Sequence, residues 1–521
     1  MFHVLVTDAI SADGLAPLLE ADNIKVYRNN ENYNPKDIQA LLVRSATQVN
    51  EELLSTLPNL QVVARAGVGV DNIDIQAATK HGVVVINAPD GNTISTAEHT
   101  FAMISSLVRH IPQANSNVKG LEWNRKKFIG TELFGKTLGI VGFGRIGSEI
   151  AKRALAFRMK VVVYDPFLTE SRAEKLSVTS LPLEEVMKMA DIITVHTPLT
   201  KDTKGLLNKS NIHMLKKGVF LVNCARGGII EEEGLLHFLN NGHVAGAALD
   251  VFEIEPPTNR DLVLHERVIV TPHLGASTKE AQYNVSNQVS KDVLAFLNGH
   301  SVSTSINLPT IPKEIYNKIQ PFFQLGKKVG SILSQAMKTP VEEITVTYAG
   351  NITEWETSIL TKSIIAGFLR NRVDTTVNEV NAAAIAKERG ISYGEKHIDE
   401  SYGYSNIIEV EAKGKDIRMV VRATFIEGYG ARIVHMNGFD IDFSPKGHLL
   451  YVQHTDRPGV IGQLGNIFGK HETNIATMHV GRMLQGGKAI MMLSFDQTLD
   501  NRLIDEILQI PDISSAITLD L

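Results

Sequence analysis

Three short polar segments, each directly after an apolar run, contain the residue types that alcohol oxidation requires. They are NCARGG at 223–228, DVFEIEPP at 250–257 and TPHLGAST at 271–278. Removing hydride from a carbon requires a base for the hydroxyl proton, and an imidazole such as that of His273 suits this role at neutral pH. Glu255 can orient that imidazole and stabilise its protonated form. Arg226 can clamp a substrate carboxylate with its planar fork of donors.

Each of these residues also has an ordinary structural explanation. An arginine before paired glycines can be a solvated turn residue, a glutamate before prolines can open a loop, and a single histidine is usually structural. Their joint position after a dinucleotide fingerprint favours catalysis by Arg226, Glu255 and His273. We expect Asp250 near the nicotinamide. Cys224 ends an apolar strand with no motif-defined base beside it, and is interpreted as a packing residue.

The fingerprint is GFGRIG at 142–147, between an apolar strand and a helix-compatible stretch. Gly142 permits a tight turn, Gly144 admits the pyrophosphate to the backbone, and Gly147 lets helix and strand approach closely. The helix N-terminus supplies an anion site. Asp165, 18 positions after Gly147, can bind the adenosine ribose and repel a 2′-phosphate, which predicts NAD over NADP. A glycine-rich turn followed by an ordinary strand-end aspartate is the structural alternative.

Two sets of alternating strands and helices must position these segments. From 1 to about 90, short apolar runs such as VLVTD and LQVVARAG alternate with polar stretches, which is typical of a parallel α/β sheet. From TLGIVGFG at 137–144 to RVIVTPH at 267–273, further strands predict a second doubly wound lobe. Because the carboxyl ends of parallel strands border the ligand crevice, the three polar segments should converge there.

Two predicted helices connect the lobes. One spans roughly 95 to 118, with Ser95 and Thr96 as candidate caps and Glu98 in its first turn. The other spans about 276 to 298 and would return the chain to the first lobe. We therefore expect a discontinuous substrate-binding domain, residues 1–95 with 284–305, around a Rossmann domain of residues 96–283.

The remaining chain has a different character. NLPTIPKE at 306–313 is proline-rich and polar, as in a linker. Residues 306–440 mix helical patterns with strand-like runs such as EEITVTYAG, which predicts an α+β domain without a recognisable catalytic constellation. Residues 447–521 read as strand, helix, strand, strand, helix and strand, the order of a ferredoxin-like βαββαβ unit.

Length and composition narrow the class of protein. A chain of 521 residues exceeds what one core usually supports, so about three or four domains are expected. With 43% hydrophobic residues, 21% charged residues and a net charge of −5, nothing indicates a nucleic-acid or membrane partner. MFHVLVTDAI begins with a strand pattern and not a targeting signal, so a cytoplasmic enzyme is expected. The single cysteine leaves no internal disulfide and too few thiolates for a zinc or iron–sulfur site.

Through GFGRIG, HTPLT, NCARGG, LDVFEIEPP and PHLGAST, in that order, the sequence resembles the D-isomer-specific 2-hydroxyacid dehydrogenase family. This resemblance covers roughly residues 1–305 and implies the catalytic roles argued above, with NAD as cofactor. RAGVGVDNID at 65–74, DGNTIS and WNRKKFIGTEL at 123–133 are similar to the long-form members. That narrower resemblance spans nearly the whole chain. It implies NAD-dependent oxidation of D-3-phosphoglycerate to 3-phosphohydroxypyruvate, the first step of phosphorylated L-serine biosynthesis.

The resemblance also implies ligand contacts. For the cofactor it implies, beside the three fingerprint glycines, Asp165 and Asp250, contacts at Arg145, Ile146, Thr197, Cys224, Ala225, Gly275 and Ala276. A doubly anionic substrate needs basic residues beyond Arg226, and Arg44 and Arg65 stand at predicted strand ends facing the crevice. Arg125 is expected from a neighbouring subunit, and Asn92 on the substrate side. Solvated surface is the more common setting for arginines at strand ends.

The C-terminal regions are similar to an allosteric-substrate-binding type intervening domain and an ACT domain within a homo-oligomer, a tetramer or a dimer. HTDRPGV at 454–460 resembles the loop by which ACT domains bind amino acids, and Asn474 occupies the matching later position. L-serine is therefore the expected effector at His454, Asp456 and Asn474. Serine-responsive members usually carry asparagine in place of Asp456, so a purely structural dimerisation module is the alternative.

Two other functions remain open from the sequence. One is a dehydrogenase for another D-2-hydroxy acid, such as glycerate or lactate, because fold alone does not fix the substrate. The other is an NAD-sensing, corepressor-like binding protein. The complete set of Arg226, Glu255 and His273 argues against the second.

Overall fold

The computed structural model describes residues 1–300, 302–309 and 313–521, which form four sheets. Residues 310–312 of the predicted linker lie outside the described residues. Within that described part of the chain, no helix is long and apolar enough to cross a membrane.

The first lobe is an open parallel sheet in the order β2-β1-β3-β4-β5. Its strands are β1 (Phe2–Val6), β2 (Ile24–Arg28), β3 (Ile38–Val43), β4 (Val62–Arg65) and β5 (Val84–Ile86), and its helices are α1 (Ala16–Leu19), α2 (Glu51–Thr56) and α3 (Ile75–Lys80). Both faces of the sheet bury apolar side chains, as parallel sheets require. Val43 pairs with Arg65, so β3 and β4 end at the same level.

The second lobe is a seven-stranded parallel sheet in the order β12-β11-β10-β9-β6-β7-β8. Its strands are β6 (Thr137–Val141), β7 (Lys160–Tyr164), β8 (Thr179–Ser180), β9 (Ile192–Val195), β10 (Val219–Asn223), β11 (Val244–Leu249) and β12 (Val268–Val270). Its helices are α4 (Thr93–Val108), α5 (Ile111–Lys119), α6 (Arg145–Ala156), α7 (Glu170–Lys175), α8 (Leu183–Met189), α9 (Glu232–Asn240) and α10 (Arg260–Val263). The strand order reverses between β6 and β9, where doubly wound folds open their ligand crevice.

The helix predicted over 95–118 is wrong in its extent. It is divided into α4 and α5 at His110, whose φ of 52° ends the regular helix. The first part begins at Thr93, with Asn92 at the N-cap position, and not at the predicted caps. Ser95 and Thr96 are buried inside the first turn. Their hydroxyls bind neighbouring segments instead, since Ser95 Oγ lies 2.7 Å from Thr278 Oγ1 and Thr96 Oγ1 donates to the Gly275 carbonyl at 3.2 Å.

Helix α11 (Lys279–Leu297) returns the chain to the first lobe, as predicted. Thr278 caps it by accepting a hydrogen bond from the Ala281 N–H at 3.0 Å. One face of the helix packs into the core of the first sheet at four-residue intervals, with Val285, Val289, Val293 and Leu297. The second lobe is thus connected on both sides to the first.

The next sheet has the order β14-β13-β15-β16-β17-β18. Its elements are α12 (Lys313–Ala336), β13 (Glu343–Gly350), α13 (Ser358–Leu369), α14 (Ala382–Glu388), β14 (Ser392–Ile398), β15 (Asn406–Lys413), β16 (Arg418–Ile426), β17 (Gly430–Met436) and β18 (Phe439–Phe443). The sequence patterns had not indicated β14, β17 or β18. Exposure explains β14, because all of its residues before Ile398 are exposed and lack an apolar alternation.

The terminal unit has the predicted βαββαβ order. Its elements are β19 (His448–Thr455), α15 (Val460–Lys470), β20 (Ile475–Arg482), β21 (Lys488–Phe495), α16 (Asn501–Leu508) and β22 (Ile513–Asp520). One face of its antiparallel sheet packs on α15 and α16, whereas the other, with Tyr451 and Met492, joins the core around α12. The predicted class, two parallel-sheet lobes followed by α+β and ferredoxin-like units, is confirmed.

Candidate functional site

The glycine fingerprint forms the turn from β6 into α6. Gly142 has a φ of 95°, which side chains rarely adopt, and a Cβ there would lie 2.6 Å from the His196 carbonyl oxygen. A Cβ on Gly147 would lie 2.3 Å from the Gly142 carbonyl oxygen. At Gly144, no described atom comes within 4 Å of an added Cβ, so space is open above the start of the helix. The three glycines therefore have different physical reasons to be glycine.

This turn fits a dinucleotide. No described side chain caps α6, so its first N–H groups can face a pyrophosphate. Asp165, which follows β7, accepts hydrogen bonds from the N–H groups of Phe143 at 2.6 Å and Phe167 at 2.8 Å. These two donors fix its carboxylate beside the turn, where the fingerprint predicts a ribose. Thr197 Oγ1 is buried without a partner among the described residues, as expected of a group that a ligand satisfies.

The other predicted cofactor residues differ in what they offer. Ile146 packs against the lobe core, and Arg145 forms an ion pair with Asp90 of the first lobe. The Ala225 N–H donates to Asn223 Oδ1 at 3.0 Å. The Cys224 side chain is buried in the core, and burial raises the pKa of its thiol. Only the Cys224 backbone can therefore meet a cofactor, which agrees with its interpretation as a packing residue.

The ends of the neighbouring strands β11 and β12 bring His273 and Glu255 together. His273 Nδ1 lies 2.8 Å from Glu255 Oε2, although 18 positions separate the residues. Glu255 Oε1 also accepts a hydrogen bond from the Phe252 N–H at 3.2 Å. Both side chains remain partly exposed, at 49% and 39%. No described residue bonds His273 Nε2, so this nitrogen is free to face a substrate hydroxyl.

Asp250 is fully buried and builds the turn that carries His273. Its Oδ1 accepts from Thr271 Oγ1 at 2.5 Å and from the Leu274 N–H at 2.7 Å, and its Oδ2 accepts from the Gly275 N–H at 2.9 Å. Burial by itself would raise the pKa of Asp250, but hydrogen bonds led by that from His99 hold it below its ordinary value. The carboxylate is thus engaged inside the protein, beside the predicted nicotinamide position.

His99 is a member of this network that sequence reasoning did not find. Its Nε2 lies 3.2 Å from both Asp250 Oδ1 and Thr271 Oγ1. Its partners lie more than 150 positions along the chain, so no local motif could have indicated the contact. Ala276, the remaining predicted cofactor residue, is half-buried directly after Gly275.

Three of the arginines predicted to bind substrate lie near one another, Arg44 and Arg65 on the first lobe and Arg226 on the second. Arg226 Nε lies 3.1 Å from Asp71 Oδ2, and Arg65 Nη1 donates to the Gly69 carbonyl oxygen. Arg65 Nε is buried without a partner in the described chain. Burial, followed by the nearby charge of Arg226, lowers the pKa of Arg65, and Arg44 adds to this effect. Three guanidinium groups with incomplete pairing are the electrostatics of an anion site.

The loop that carries Arg44 is fixed by residues that sequence reasoning missed. The Arg44 N–H donates to Asp8 Oδ2 at 2.6 Å. Asn72 Nδ2 donates to the carbonyl oxygens of Arg44 and Thr47, at 2.7 and 2.6 Å. Asp71 and Asn72 both lie in RAGVGVDNID, but their targets are far along the chain and the motif does not reveal them.

Two other residues predicted on the substrate side lie in different settings. Asn92 Oδ1 is buried without a partner among the described residues, so it has capacity for a ligand. Arg125 begins an exposed 3₁₀ turn, Arg125–Phe128, and makes no contact with the other three arginines in the described chain. Exposed apolar side chains surround that turn, including Leu121, Trp123 and Ile129. The arrival of Arg125 from a neighbouring subunit stays a prediction.

The predicted effector loop joins β19 to α15. His454 is buried, and its Nε2 has no partner in the described chain. Asp456 accepts hydrogen bonds from Arg482 Nη1 at 2.9 Å and from the Gly486 N–H at 3.2 Å, which hold the pKa of its carboxyl below the ordinary value. Asn474 is exposed before β20 and bonds neither residue within the described chain. The loop therefore holds two of the three predicted residues together, with Arg482 as an unpredicted partner.

Comparison with known proteins covers nearly the whole chain. Residues 101–275 match the D-isomer specific 2-hydroxyacid dehydrogenase NAD binding domain, residues 318–437 the D-3-phosphoglycerate dehydrogenase intervening domain, and residues 448–512 the ACT domain. The D-3-phosphoglycerate dehydrogenase of Bacillus subtilis is 59% identical over 524 residues, and that of Methanocaldococcus jannaschii 38% over 526, each covering 100% of both chains.

A solved structure supports the same relationship for the two lobes. D-lactate dehydrogenase from Aquifex aeolicus, complexed with NAD and lactic acid, is 32% identical with a TM-score of 0.51. The similarity covers 57% of this chain and 96% of that one.

Proposed function

Because the chain belongs to the D-3-phosphoglycerate dehydrogenase family, we propose that its cleft oxidises D-3-phosphoglycerate to 3-phosphohydroxypyruvate with NAD. Two observations carry this proposal: a histidine–glutamate pair and a group of three arginines, both at strand ends that border the crevice. His273 Nδ1 lies 2.8 Å from Glu255 Oε2. Arg226 and Arg44 lie close enough to Arg65 for their charges to lower its pKa. The product is the first intermediate of phosphorylated L-serine biosynthesis.

The reaction divides among these residues by their chemistry. His273 Nε2 takes the proton of the C2 hydroxyl, while Glu255 holds the imidazole through Nδ1 and stabilises the imidazolium. Arg226 binds the substrate carboxylate, and Arg65 and Arg44 bind the phosphate. In the reverse direction His273 returns the proton to the carbonyl oxygen.

When bound, NAD supplies the acceptor for the hydride that leaves C2. The residues that would hold it are Gly142, Gly144, Arg145, Ile146, Gly147, Asp165, Thr197, Cys224, Ala225, Asp250, Gly275 and Ala276. Gly144 leaves room for the pyrophosphate, and Asp165 is already fixed by two backbone donors. Asp250 would act mainly by fixing the turn that carries His273, because both of its carboxylate oxygens accept hydrogen bonds from that turn.

The division of the chain follows the same proposal. Residues 1–95 with 284–305 form the substrate-binding domain, 96–283 the NAD-binding domain, 306–440 the intervening domain and 447–521 the ACT domain. The ACT domain takes L-serine at His454, Asp456 and Asn474, and the enzyme works as a cytoplasmic homo-oligomer, a tetramer or a dimer. The unpartnered His454 Nε2 supports a ligand at that loop.

The test is NADH formation by purified protein with 3-phosphoglycerate, D-glycerate or D-lactate. We expect turnover of the phosphorylated acid and at least about a 100-fold loss in His273→Ala, because the general base is removed. His213→Ala, which alters an exposed histidine of the same lobe, is the matched control and should be unaffected.

Other outcomes separate the alternatives. Turnover of only the unphosphorylated acids would keep the family chemistry and reject the substrate. NAD binding without oxidation of any acid would reject the enzyme and favour a sensor.

A further inference from the structure

The arginine assigned to the substrate carboxylate is itself bonded to a carboxylate of the protein. Arg226 Nε lies 3.1 Å from Asp71 Oδ2, and Arg226 Nη1 donates to its own neighbour, the Ala225 carbonyl oxygen, at 2.7 Å. An aspartate inside an anion site opposes the binding of an anion by simple repulsion. Its presence there needs a physical reason.

Folding stability does not supply that reason. The Asp71 side chain is 64% exposed and that of Arg226 29% exposed. Ion pairs this accessible to water contribute little to stability, because solvent screens them and two flexible side chains must be ordered. The expected effect of the pair is therefore on the direction of the guanidinium plane.

Orientation is controlled at several atoms. Nε is held by Asp71 and Nη1 by the Ala225 carbonyl, which leaves Nη2 without a hydrogen bond in the described chain. A Cβ on Gly69 would lie 1.9 Å from Arg226 Nη2, so the backbone of this loop packs directly against the guanidinium. The same loop accepts a hydrogen bond from Arg65 at the Gly69 carbonyl. One loop, residues 66–73, thus aligns both cations.

The pair also crosses the crevice. Asp71 follows β4 of the first lobe and Arg226 follows β10 of the second, 155 positions away. A second pair has the same arrangement, because Arg145 at the start of α6 bonds Asp90 of the first lobe. Both contacts require the lobes to be close, so opening the crevice would release Arg226 from its partner.

We propose that Asp71 is a positioning residue that orients Arg226 for the substrate carboxylate, and that it does so only when the two lobes approach. This inference rests on the proposed function and deepens it. Asp71 stands to Arg226 as Glu255 stands to His273: each carboxylate fixes the plane of a cationic or protonatable group. The carboxylate clamp is therefore completed by lobe closure and is not preformed on the second lobe alone.

The test compares Asp71→Ala and Asp71→Asn with Asp71→Glu. Misalignment of the clamp should raise the KM for D-3-phosphoglycerate about tenfold in Asp71→Ala, with a smaller change in kcat and an unchanged KM for NAD. Asp71→Asn keeps the side-chain shape and should lie between, and Asp71→Glu should recover part of the loss. D-glycerate should lose the same factor, since Asp71 acts on the carboxylate end and not on the phosphate.

Asp22→Ala is the matched control, because it removes one exposed negative charge from the same lobe. Oxalate affinity of the NADH-loaded protein, measured by calorimetry, gives the same comparison without turnover. The oxalate measurement therefore tests Asp71 even if D-3-phosphoglycerate is not the substrate.

A lower KM or tighter oxalate binding in Asp71→Asn would mean that Asp71 merely repels anions. An equal rise in the KM for NAD would mean a general loss of structure. Either result would overturn the proposal.

Discussion

The crevice between the lobes and the loop of the terminal unit both carry charged residues at strand ends, but their charges are balanced differently. In the crevice three arginines converge, and Arg65 Nε is buried without a partner in the described chain. In the terminal loop the carboxylate of Asp456 is satisfied by Arg482 and by the Gly486 N–H. Arginines that lack enough carboxylate partners at strand ends indicate a site for an anionic ligand. A carboxylate that is already paired, such as Asp456, can equally serve a structural role.

Sheet direction explains part of this difference. Parallel strands deliver all of their carboxyl ends to one edge, so residues from β3, β4, β10, β11 and β12 meet in one crevice. The antiparallel terminal sheet sends successive loops to opposite ends. At its own end of the sheet the Asp456 loop meets β20, the 483–487 turn and the turn before β22, where Asp512 Oδ1 accepts a hydrogen bond from Arg457 Nη1 at 3.1 Å.

The largest expected effect is at Arg65. Arg65→Ala should raise the KM for D-3-phosphoglycerate about 10- to 100-fold, because a charge-assisted bond to the phosphate is lost. D-glycerate, which lacks the phosphate, should lose much less. Steady-state kinetics on both acids measure the difference, with Lys25→Ala on the exposed edge of β2 as control. Equal losses for the two acids would remove the distinction between a ligand-prepared crevice and an ordinary charged surface.

A smaller effect is expected at Asp165, where one charge selects between cofactors. Asp165→Asn should raise kcat/KM with NADP about five- to tenfold, because like charges a few ångströms apart repel by about 1 kcal/mol even in water. The Phe143 and Phe167 N–H groups can still bond the amide oxygen, so the turn should persist. An unchanged ratio of NAD to NADP use would show that Asp165 does not face the ribose.

The smallest effect is expected in the terminal loop. The pKa of Asp456 is lowered by Arg482, so its contribution is present above the ordinary aspartate pKa and lost as pH falls below about 4. Asp456→Asn should therefore reduce amide protection in residues 483–487 at pH 7, by no more than about fivefold. The difference from wild type should remain at pH 4 and close only as the pH falls further, towards the lowered pKa of Asp456. Hydrogen exchange at pH 7, at pH 4 and below pH 4 measures it. A loss of amide protection much larger than fivefold would show that this ion pair is not a minor, solvent-screened contact, and would weaken the contrast with the crevice.

Much of the fold could be predicted from short segments. Glycine spacing at 142–147 indicated the cofactor turn, and each predicted apolar run of the second lobe became a strand. The two-residue β8 had not been predicted, because it is too short to carry a pattern. The break at His110 had a local signal that our prediction overlooked, because Pro112 lies in the first turn of α5 and proline disfavours a continuous helix through the residues before it. Strands and helices are therefore predicted well where the apolar pattern and the helix-breaking or turn residues are considered together.

The sequence by itself determined the kinds of chemistry present: glycines for a dinucleotide turn, a histidine and a glutamate for proton transfer, and arginines for a doubly anionic acid. Only the tertiary structure decided which charges meet. It placed Asp71 against Arg226 across 155 positions, turned Asp250 inward with His99, and occupied Asp456 with Arg482. The reason is physical: residue type and local spacing fix what a side chain can do, whereas pairing and burial depend on distances between segments that only the packed chain brings together.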